Sequence, residues 1–270
     1  MLVIRSFLCF LFLRYFIDAM SDRIFILGIP IDSLTRTEAL DRLRIMLQSS
    51  GRHHVMTPNN EMLVEAAKNP PFRTILQASA LNLPDSTGLL LAARITGQRL
   101  KERVPGVDVV EELLRTLEPG HPVFFLGGRS GVPARAAAAM QVKNPGLRVA
   151  GCYEGSPRPE EAHEIIRRIQ GAKPHLLLVA YGAPAQDLWI DRHLKELPTV
   201  RVAIGVGGTF DVLSGEIRRA PALLRAVGLE WLWRLLQEPR RIGRMFRAVI
   251  AFPVFILCYG QTLPSVKARR

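Results

Sequence analysis

The stretch Val202-Ala-Ile-Gly-Val-Gly-Gly-Thr-Phe-Asp-Val-Leu-Ser-Gly215 indicates which kind of fold this chain adopts. Residues 202–206 are apolar or glycine and predict a short buried strand. Two glycines follow, so the backbone can turn sharply there and expose its N–H groups. Ligands of open α/β sheets lie at the carboxyl ends of the strands, so the turn predicts one wall of a phosphate or sugar site. An ordinary strand-to-helix turn is the alternative. The candidate wall consists of Gly207, Gly208, Thr209 and Asp211.

The same pattern, an apolar run followed by small or polar residues and then a helix, recurs upstream. It predicts an α/β fold with a Rossmann-like, mostly parallel sheet flanked by helices. Because such crossovers are right-handed, the strand ends gather along one edge of the sheet. The predicted strands are residues 24–29, 53–56, 81–83, 123–126, 147–150, 175–180 and 202–206. The predicted helices are residues 35–47, 61–68, 88–95, 107–117, 160–169 and 185–194, together with an alanine-rich helix that follows Gly131.

Composition limits the function classes. The chain has 270 residues, of which 48% are hydrophobic, which excludes a disordered chain. Its formal net charge of +12 favours anionic partners such as phosphorylated metabolites, lipid head groups or nucleic acid. The three cysteines and six histidines have no metal-ligand spacing, and the cysteines form no disulfide framework, which favours a reducing compartment.

Three regions are predicted along the chain. Residues 1–20 form a short apolar extension, which is either an N-terminal anchor or an artefact of a start codon placed upstream of Met20. Residues 21–215 form the α/β core. Residues 216–270 form a basic, helical C-terminal appendage that carries tryptophans and an apolar run over residues 249–257, interrupted by Pro253. This appendage predicts contact with an anionic membrane surface, whereas a helical hairpin packed on the core is the alternative.

Several polar residues follow predicted strands and could carry chemistry. Asp85 could be a general base near a sugar hydroxyl or a helix N-cap. Thr57 and Asn59 could contact a ligand or cap the next helix. Arg103 could be a phosphate clamp or a surface charge. Gln186 lies one turn into a helix that begins at the same edge of the sheet.

The loop Gly127-Gly128-Arg129-Ser130-Gly131 predicts anion binding at a helix N-terminus. It is not a complete dinucleotide fingerprint, and it has no Walker lysine, which argues against a dinucleotide-dependent oxidoreductase. The chain also has no Asp-x-Asp motif for a metal-bound diphosphate. We therefore expect no cofactor and no metal.

Motifs in this order resemble the WecG/TagA/CpsF glycosyltransferases, glycosyltransferase family 26. The resemblance covers about residues 24–247, and the ordered set is far more specific than any one motif. In chain order the motifs are Thr57-Pro58-Asn59, Pro84-Asp85, Glu102-Arg103-Val104-x-Gly106, Phe124-Phe125-Leu126-Gly127-Gly128, Gly182-Ala183-Pro184-x-Gln186, Gly205-Val206-Gly207-Gly208-Thr209-Phe210-Asp211 and Leu229-Glu230-Trp231-x-x-Arg234-Leu235-x-x-Glu238-Pro239-x-Arg241.

The resemblance implies an inverting transferase that moves a hexose, often N-acetylmannosamine, from a UDP-sugar to a polyprenyl-diphosphate-linked sugar. Such enzymes work at the cytoplasmic face of the bacterial inner membrane and supply teichoic acid or exopolysaccharide. By resemblance Asp85 is the catalytic base and Thr57 is a second catalytic residue, with Asn59 beside it in the pocket. Arg103 and Gln186 are implied to bind substrate. The appendage arginines implied to contact the diphosphate and the membrane are Arg234, Arg241 and Arg244.

Two positions depart from the family pattern. Ser86 stands where the family has glycine, and serine adopts a positive φ less readily, which puts the geometry of this turn in question. Ala185 stands where a lysine is frequent, so a phosphate contact is weakened. With arginines available for the leaving diphosphate, we expect metal-independent transfer.

Other interpretations stay open at this point. The same fold could use UDP-glucose or another UDP-hexose. The positive charge would also suit a nucleic-acid-binding protein, although no recognition module is evident and we expect no nucleic-acid partner. The apolar appendage could equally mediate a homo-oligomer.

Overall fold

The computed structural model describes residues 23–226, 228–237 and 242–263, without the side chains of Ala226, Arg234 and Arg244. Its strands are β1 (Arg23–Ile26), β2 (Ile29–Asp32), β3 (His53–Met56), β4 (Leu81–Asn82), β5 (Val123–Gly127), β6 (Val149–Tyr153), β7 (Leu176–Ala180) and β8 (Val202–Gly205). The predicted N-terminal extension, residues 1–20, lies outside the described residues.

The helices alternate with these strands. They are α1 (Arg36–Gln48), α2 (Asn60–Lys68), α3 (Pro70–Ala78), α4 (Thr87–Ile95), α5 (Gly106–Thr116), α6 (Val132–Lys143), α7 (Pro159–Ala172), α8 (Ala185–His193), α9 (Thr209–Leu213), α10 (Ala222–Ala226), α11 (Glu230–Gln237), α12 (Ile242–Phe246) and α13 (Phe252–Tyr259). A 3₁₀ turn, Leu194–Glu196, follows α8, and a π-helical turn, Arg247–Ala251, joins α12 to α13.

The main sheet has six parallel strands in the order β4-β3-β8-β7-β5-β6. This arrangement confirms the predicted α/β fold class. Four adjacent strands, β3, β8, β7 and β5, end at the same edge. The segments that follow them are therefore brought side by side, although they are far apart in the sequence.

Both faces of the sheet are buried, because alternate residues of each strand point to opposite sides. On β7, Leu176 and Leu178 pack into a cluster with α1, α5 and α6. Leu177 and Val179 pack on the other side against α7 and α8. This two-sided burial explains why the strands read as continuous apolar runs.

The single strand predicted over residues 24–29 is wrong. The segment folds back on itself as the antiparallel hairpin β1–β2, with Ile26 paired to Ile29. Leu27 and Gly28 form its two-residue turn with φ of 50° and 70°, as a type I′ hairpin turn requires. The hairpin is separate from the main sheet, so the parallel sheet begins only at β3.

Helix α3 was not predicted from the sequence, and it begins with two prolines. Pro70 and Pro71 lie in the first turn, where a helix needs no intrahelical N–H donor. The Asn69 side chain caps this turn by accepting a hydrogen bond from the Phe72 N–H. Pro253 similarly lies in the first turn of α13, directly after the π-helical turn, so it does not interrupt the helical chain.

Helix α13 is apolar throughout its sequence, and the fold buries only one side of it. Phe252 and Ile256 of α13 are buried in an apolar cluster with the hairpin, α2, α3 and α4. Leu257 and Val254 of the same helix are exposed. In the part of the chain that the structure describes, no helix combines the length and hydrophobicity needed to cross a bilayer.

Candidate active site

A cavity of about 480 Å³ opens at the carboxyl edge of the sheet, where β3, β8, β7 and β5 end. Most of the residues singled out from the sequence line it together, as the gathering of strand ends predicted. These are Thr57, Asn59, Asp85, Gln186, Gly207, Gly208, Thr209 and Asp211. Arg103 instead lines an adjoining groove. Arg241 and the side chains of Arg234 and Arg244 lie outside the described residues.

Asp85 is held at the N-terminus of α5. Its Oδ1 accepts a hydrogen bond from the Gly106 N–H at 2.8 Å, and its own N–H donates to the Pro58 carbonyl at 3.0 Å. The carboxylate therefore does not cap α4, the helix that follows it in sequence. It faces the N-terminus of α5, which is the positive end of that helix dipole.

The glycine at position 106 brings Thr57 close to this carboxylate. A Cβ atom at Gly106 would lie 2.8 Å from Thr57 Cγ2, so any larger residue would push the threonine away. Asp85, Gly106 and Thr57 come from three separate motifs. The structure joins them into one cluster at the mouth of the cavity.

Ser86 does not strain the turn after Asp85. Its φ is −116°, an ordinary extended conformation that any residue adopts. The turn therefore needs no positive φ at this position. The Ser86 hydroxyl donates to Asn60 Oδ1 at 2.7 Å instead of capping α4. Serine therefore adds a contact between α4 and α2 at this position.

Asn59 has the capping role that its local sequence favoured. Its side-chain oxygen accepts from the Met62 N–H at 3.1 Å at the start of α2. The residue also lines the cavity. Its amide is thus fixed by the helix in a position next to a bound ligand.

Gln186 connects two of the loops that form the cavity wall. Its Oε1 accepts from the N–H groups of Gly182 and Gly207, both at 3.0 Å. One loop follows β7 and the other follows β8. The buried amide therefore sets the spacing of the two glycine turns, and its oxygen is engaged within the protein.

The wall after β8 is a compact turn. The hydroxyl and the N–H of Thr209 both donate to the Val206 carbonyl, at 2.7 and 3.0 Å. Thr209 is buried, whereas Gly207 and Asp211 are partly exposed along the cavity. The turn presents backbone and a carboxylate to the cavity, while the threonine hydroxyl is used to close the turn.

At the N-terminus of α6, where the glycine loop over residues 127–131 predicts anion binding, an internal carboxylate engages one of the amides, while Gly128 and Arg129 of the loop line the cavity. The Gly131 N–H donates to Glu154 Oε1 at 2.6 Å, so this amide already has an anionic acceptor. Gly127 is required for a different reason. A Cβ there would lie 2.8 Å from the backbone of Ala180 on the neighbouring strand.

An ion-pair network joins α11 to the core beside the cavity. Glu230 accepts from Arg103 at 3.3 Å and from Arg219 at 2.9 Å, and Arg219 also contacts Asp108 at 2.5 Å. Burial alone would lower the pKa of Arg219, but its hydrogen bonds to Asp108 and Glu230 raise that pKa above its ordinary value. Among the described residues, the buried Nη2 group of Arg219 has no hydrogen-bond partner.

Sequence reasoning did not single out several residues of this site. Arg218 and Arg219 line the cavity, and their position directly after the predicted core was the available signal. His54 and Asp187 form a buried pair behind Gln186, with His54 Nε2 3.4 Å from Asp187 Oδ1. No pattern in the sequence connects these two residues.

Tyr181 lines the cavity, but its phenol oxygen is buried beneath the surface. Burial, reinforced by Glu161 and Tyr153, raises the pKa of its phenol above the ordinary value, so the hydroxyl stays protonated.

The described residues contain no cluster of three or more His, Cys, Asp or Glu side chains arranged to hold a metal ion. The charged groups at this edge are the carboxylates and arginines described above.

Comparison with known proteins agrees with this geometry. The model of the glycosyl transferase WecG/TagA/CpsF family matches residues 24–266. An N-acetylglucosaminyldiphosphoundecaprenol N-acetyl-beta-D-mannosaminyltransferase of Bacillus spizizenii is 33% identical over 192 residues, which are 71% of this chain and 74% of the relative. A protein of the same name from Staphylococcus aureus strain MRSA252 is 28% identical over 245 residues, 90% of this chain and 94% of that protein.

Proposed function

This chain belongs to the WecG/TagA/CpsF family and is a glycosyltransferase, and we propose that it transfers N-acetylmannosamine from a UDP-sugar to a polyprenyl-diphosphate-linked N-acetylglucosamine. The relatives with this named activity align over most of their own length. The observation that carries the proposal is the position of Asp85, a carboxylate fixed by the start of α5 at the mouth of the cavity.

In the proposed reaction the Asp85 carboxylate takes the proton of the acceptor hydroxyl. The oxygen of that hydroxyl attacks C1 of the donor sugar. The bond between C1 and the UDP oxygen breaks, and its electron pair leaves with the diphosphate. Attack from the side opposite UDP inverts the configuration at C1.

The leaving diphosphate needs positive charge, and Arg219 is the best-placed described residue to supply it. Asp108 and Glu230 fix two of its nitrogens, while the third, Nη2, has no partner and the residue lines the cavity. A phosphate oxygen would satisfy this buried donor. Arg234, Arg241 and Arg244 remain proposed contacts from the family resemblance. With these cations, we propose that transfer needs no metal ion.

We also propose that the enzyme works at the cytoplasmic face of the bacterial membrane, where its lipid-linked acceptor would be embedded. The support is the exposed apolar side chains along the C-terminal helices, which would suit the lipid boundary. Those described are Ile242, Phe246, Ile250, Val254 and Leu257. The same surface is the candidate interface for a homo-oligomer, which would hide these side chains from lipid.

The test is a donor screen with the purified full-length chain. UDP-N-acetylmannosamine, UDP-N-acetylglucosamine and UDP-glucose are offered with a polyprenyl-diphosphate-N-acetylglucosamine acceptor, and UDP release is followed with and without EDTA. We expect acceptor-dependent release from UDP-N-acetylmannosamine that persists in EDTA. Release from UDP-glucose alone would replace the donor in the proposal. Loss of all release in EDTA would overturn metal independence.

A further inference from the structure

A second cavity, of about 450 Å³, continues from the catalytic cavity along the surface between α4 and the C-terminal helices. We call it the α4 groove. Asn59, Asp85, Val107 and Glu230 line both cavities, so the two form one continuous depression. A molecule with one end at Asp85 can therefore extend into the groove without leaving the protein surface.

The α4 groove changes character along its length. Near Asp85 its wall carries Arg103, Asn60 and Glu61. Farther away it is lined by apolar side chains from α4, the π-helical turn and α13. These are Leu91, Ile95, Val249, Phe252, Pro253 and Ile256. A charged end leading to an apolar end matches an amphiphile whose polar head lies at the catalytic carboxylate.

Contacts with the core hold the outer wall of the groove in place. Asn60 Nδ2 donates to the Ala248 carbonyl at 3.0 Å, and Arg247 pairs with Glu61 at 2.8 Å. Phe252 is buried against the core below the groove. The groove is therefore formed before a ligand binds, so binding carries no entropic cost of ordering this wall.

The part of the apolar lining that α4 contributes is nevertheless open to solvent. Leu91 and Ile95, one turn apart on α4, are 57% and 55% exposed. Exposed apolar side chains that line a concave surface gain free energy when an apolar ligand covers them. The cavity at the other end of the groove has the polar lining that a sugar needs. We propose that the α4 groove binds the first isoprene units of the polyprenyl acceptor, so that the diphosphate lies near Arg103 and the sugar hydroxyl reaches Asp85.

This inference rests on the proposed function for the identity of the acceptor, but the groove can be tested without catalysis. Geranyl, farnesyl and geranylgeranyl diphosphate, each one isoprene unit longer than the last, are titrated into the full-length protein by calorimetry. We expect the affinity of the wild type to rise about tenfold or more along this series, because each added unit buries more apolar surface. The rise should be lost in the double variant Leu91→Gln/Ile95→Gln.

The matched control is the double variant Val254→Gln/Leu257→Gln. These residues of α13 are 52% and 76% exposed but do not line the groove. The control should keep the chain-length dependence of the wild type, which separates the groove from the general apolar surface of the C-terminal helices. Circular dichroism of both double variants checks that they are folded.

A transfer assay completes the test. The groove variant should have a KM for the polyprenyl acceptor raised about tenfold or more, an unchanged KM for the UDP-sugar, and wild-type rates on an acceptor whose lipid is replaced by a methyl group. If the wild type binds the longer prenyl diphosphates more tightly but transfers no sugar, the proposed function fails and the groove assignment stands. Equal affinity for all three prenyl diphosphates, or the same chain-length dependence in the groove variant as in the wild type, overturns the groove assignment.

Discussion

At the scale of single residues, Asp85 shows how a local pattern and a distant contact combine. Its position after Pro84 made it a candidate for a cap or a base. The structure shows that its carboxylate interacts with α5, whose first residue lies 21 positions away. Asp85 precedes α4 in sequence but binds the start of α5, so tertiary packing places it at the cavity.

The substitution Asp85→Asn tests the role of this carboxylate. Asparagine keeps a side-chain oxygen for the Gly106 N–H, so the turn should be preserved, but it cannot accept the acceptor proton. We expect the transfer rate to fall by about 10²–10⁴-fold, measured as acceptor-dependent UDP release. Calorimetry should show UDP-sugar affinity close to that of the wild type. A variant with near wild-type turnover would remove Asp85 from the catalytic role.

At the scale of elements, α11 is attached by the ion pairs of Glu230 and by hydrogen bonds from Trp233 and Gln237 to the Arg218 carbonyl. Glu230 in its first turn pairs with Arg103 and Arg219, and all three side chains are largely buried. Removing one member of a buried network leaves the others without their partner, which is more costly than losing an exposed pair. Glu230 therefore contributes the buried ionic part of the attachment of α11.

We expect Glu230→Gln to lower the free energy of unfolding by about 1–3 kcal/mol, because two arginines lose their charged partner. Urea unfolding measures the change. The matched control is Glu216→Gln, which breaks an exposed pair with Arg135 and should change stability by less than about 1 kcal/mol. Equal, small losses in the two variants would mean that the network does not hold α11.

At the scale of the whole molecule, the C-terminal helices are part of the packed fold as well as the proposed contact with lipid. One side of α13 completes an apolar cluster with the hairpin and with α2, α3 and α4. The Leu27 and Gly28 N–H groups at the hairpin turn donate to the carbonyls of Gly260 and Gln261, at 3.0 and 2.8 Å. The segment predicted as a separate appendage is thus also part of the packing of the fold.

Phe252→Ala tests this structural contribution. The side chain is buried, and its loss leaves a cavity, so we expect the free energy of unfolding to fall by about 3–5 kcal/mol. Val254→Ala, two residues later on the exposed side of the same helix, should change it by less than about 0.5 kcal/mol. Chemical unfolding of both variants gives the comparison. A small effect of Phe252→Ala would show that α13 is dispensable for the core.

Much of the fold could be predicted from the sequence, because its signals are local. A buried strand of a parallel sheet is an apolar run, and its end is marked by glycine, proline or a small polar residue; β3, β5, β7 and β8 all follow this rule. The same rule predicted that Thr57, Gln186 and Gly207 lie at one edge of the sheet. The hairpin was missed because an apolar run conceals a two-residue turn at Leu27 and Gly28.

What the sequence by itself determined is the succession of strands and helices along the chain and the edge of the sheet at which chemistry can occur. Both follow from periodicity and from the handedness of crossovers. Only the tertiary structure decided which side chains meet. Arg219 with Asp108, Glu154 with Gly131 and His54 with Asp187 are pairs distant in sequence. Their contacts depend on how the helices pack on the sheet, and no local pattern contains that information.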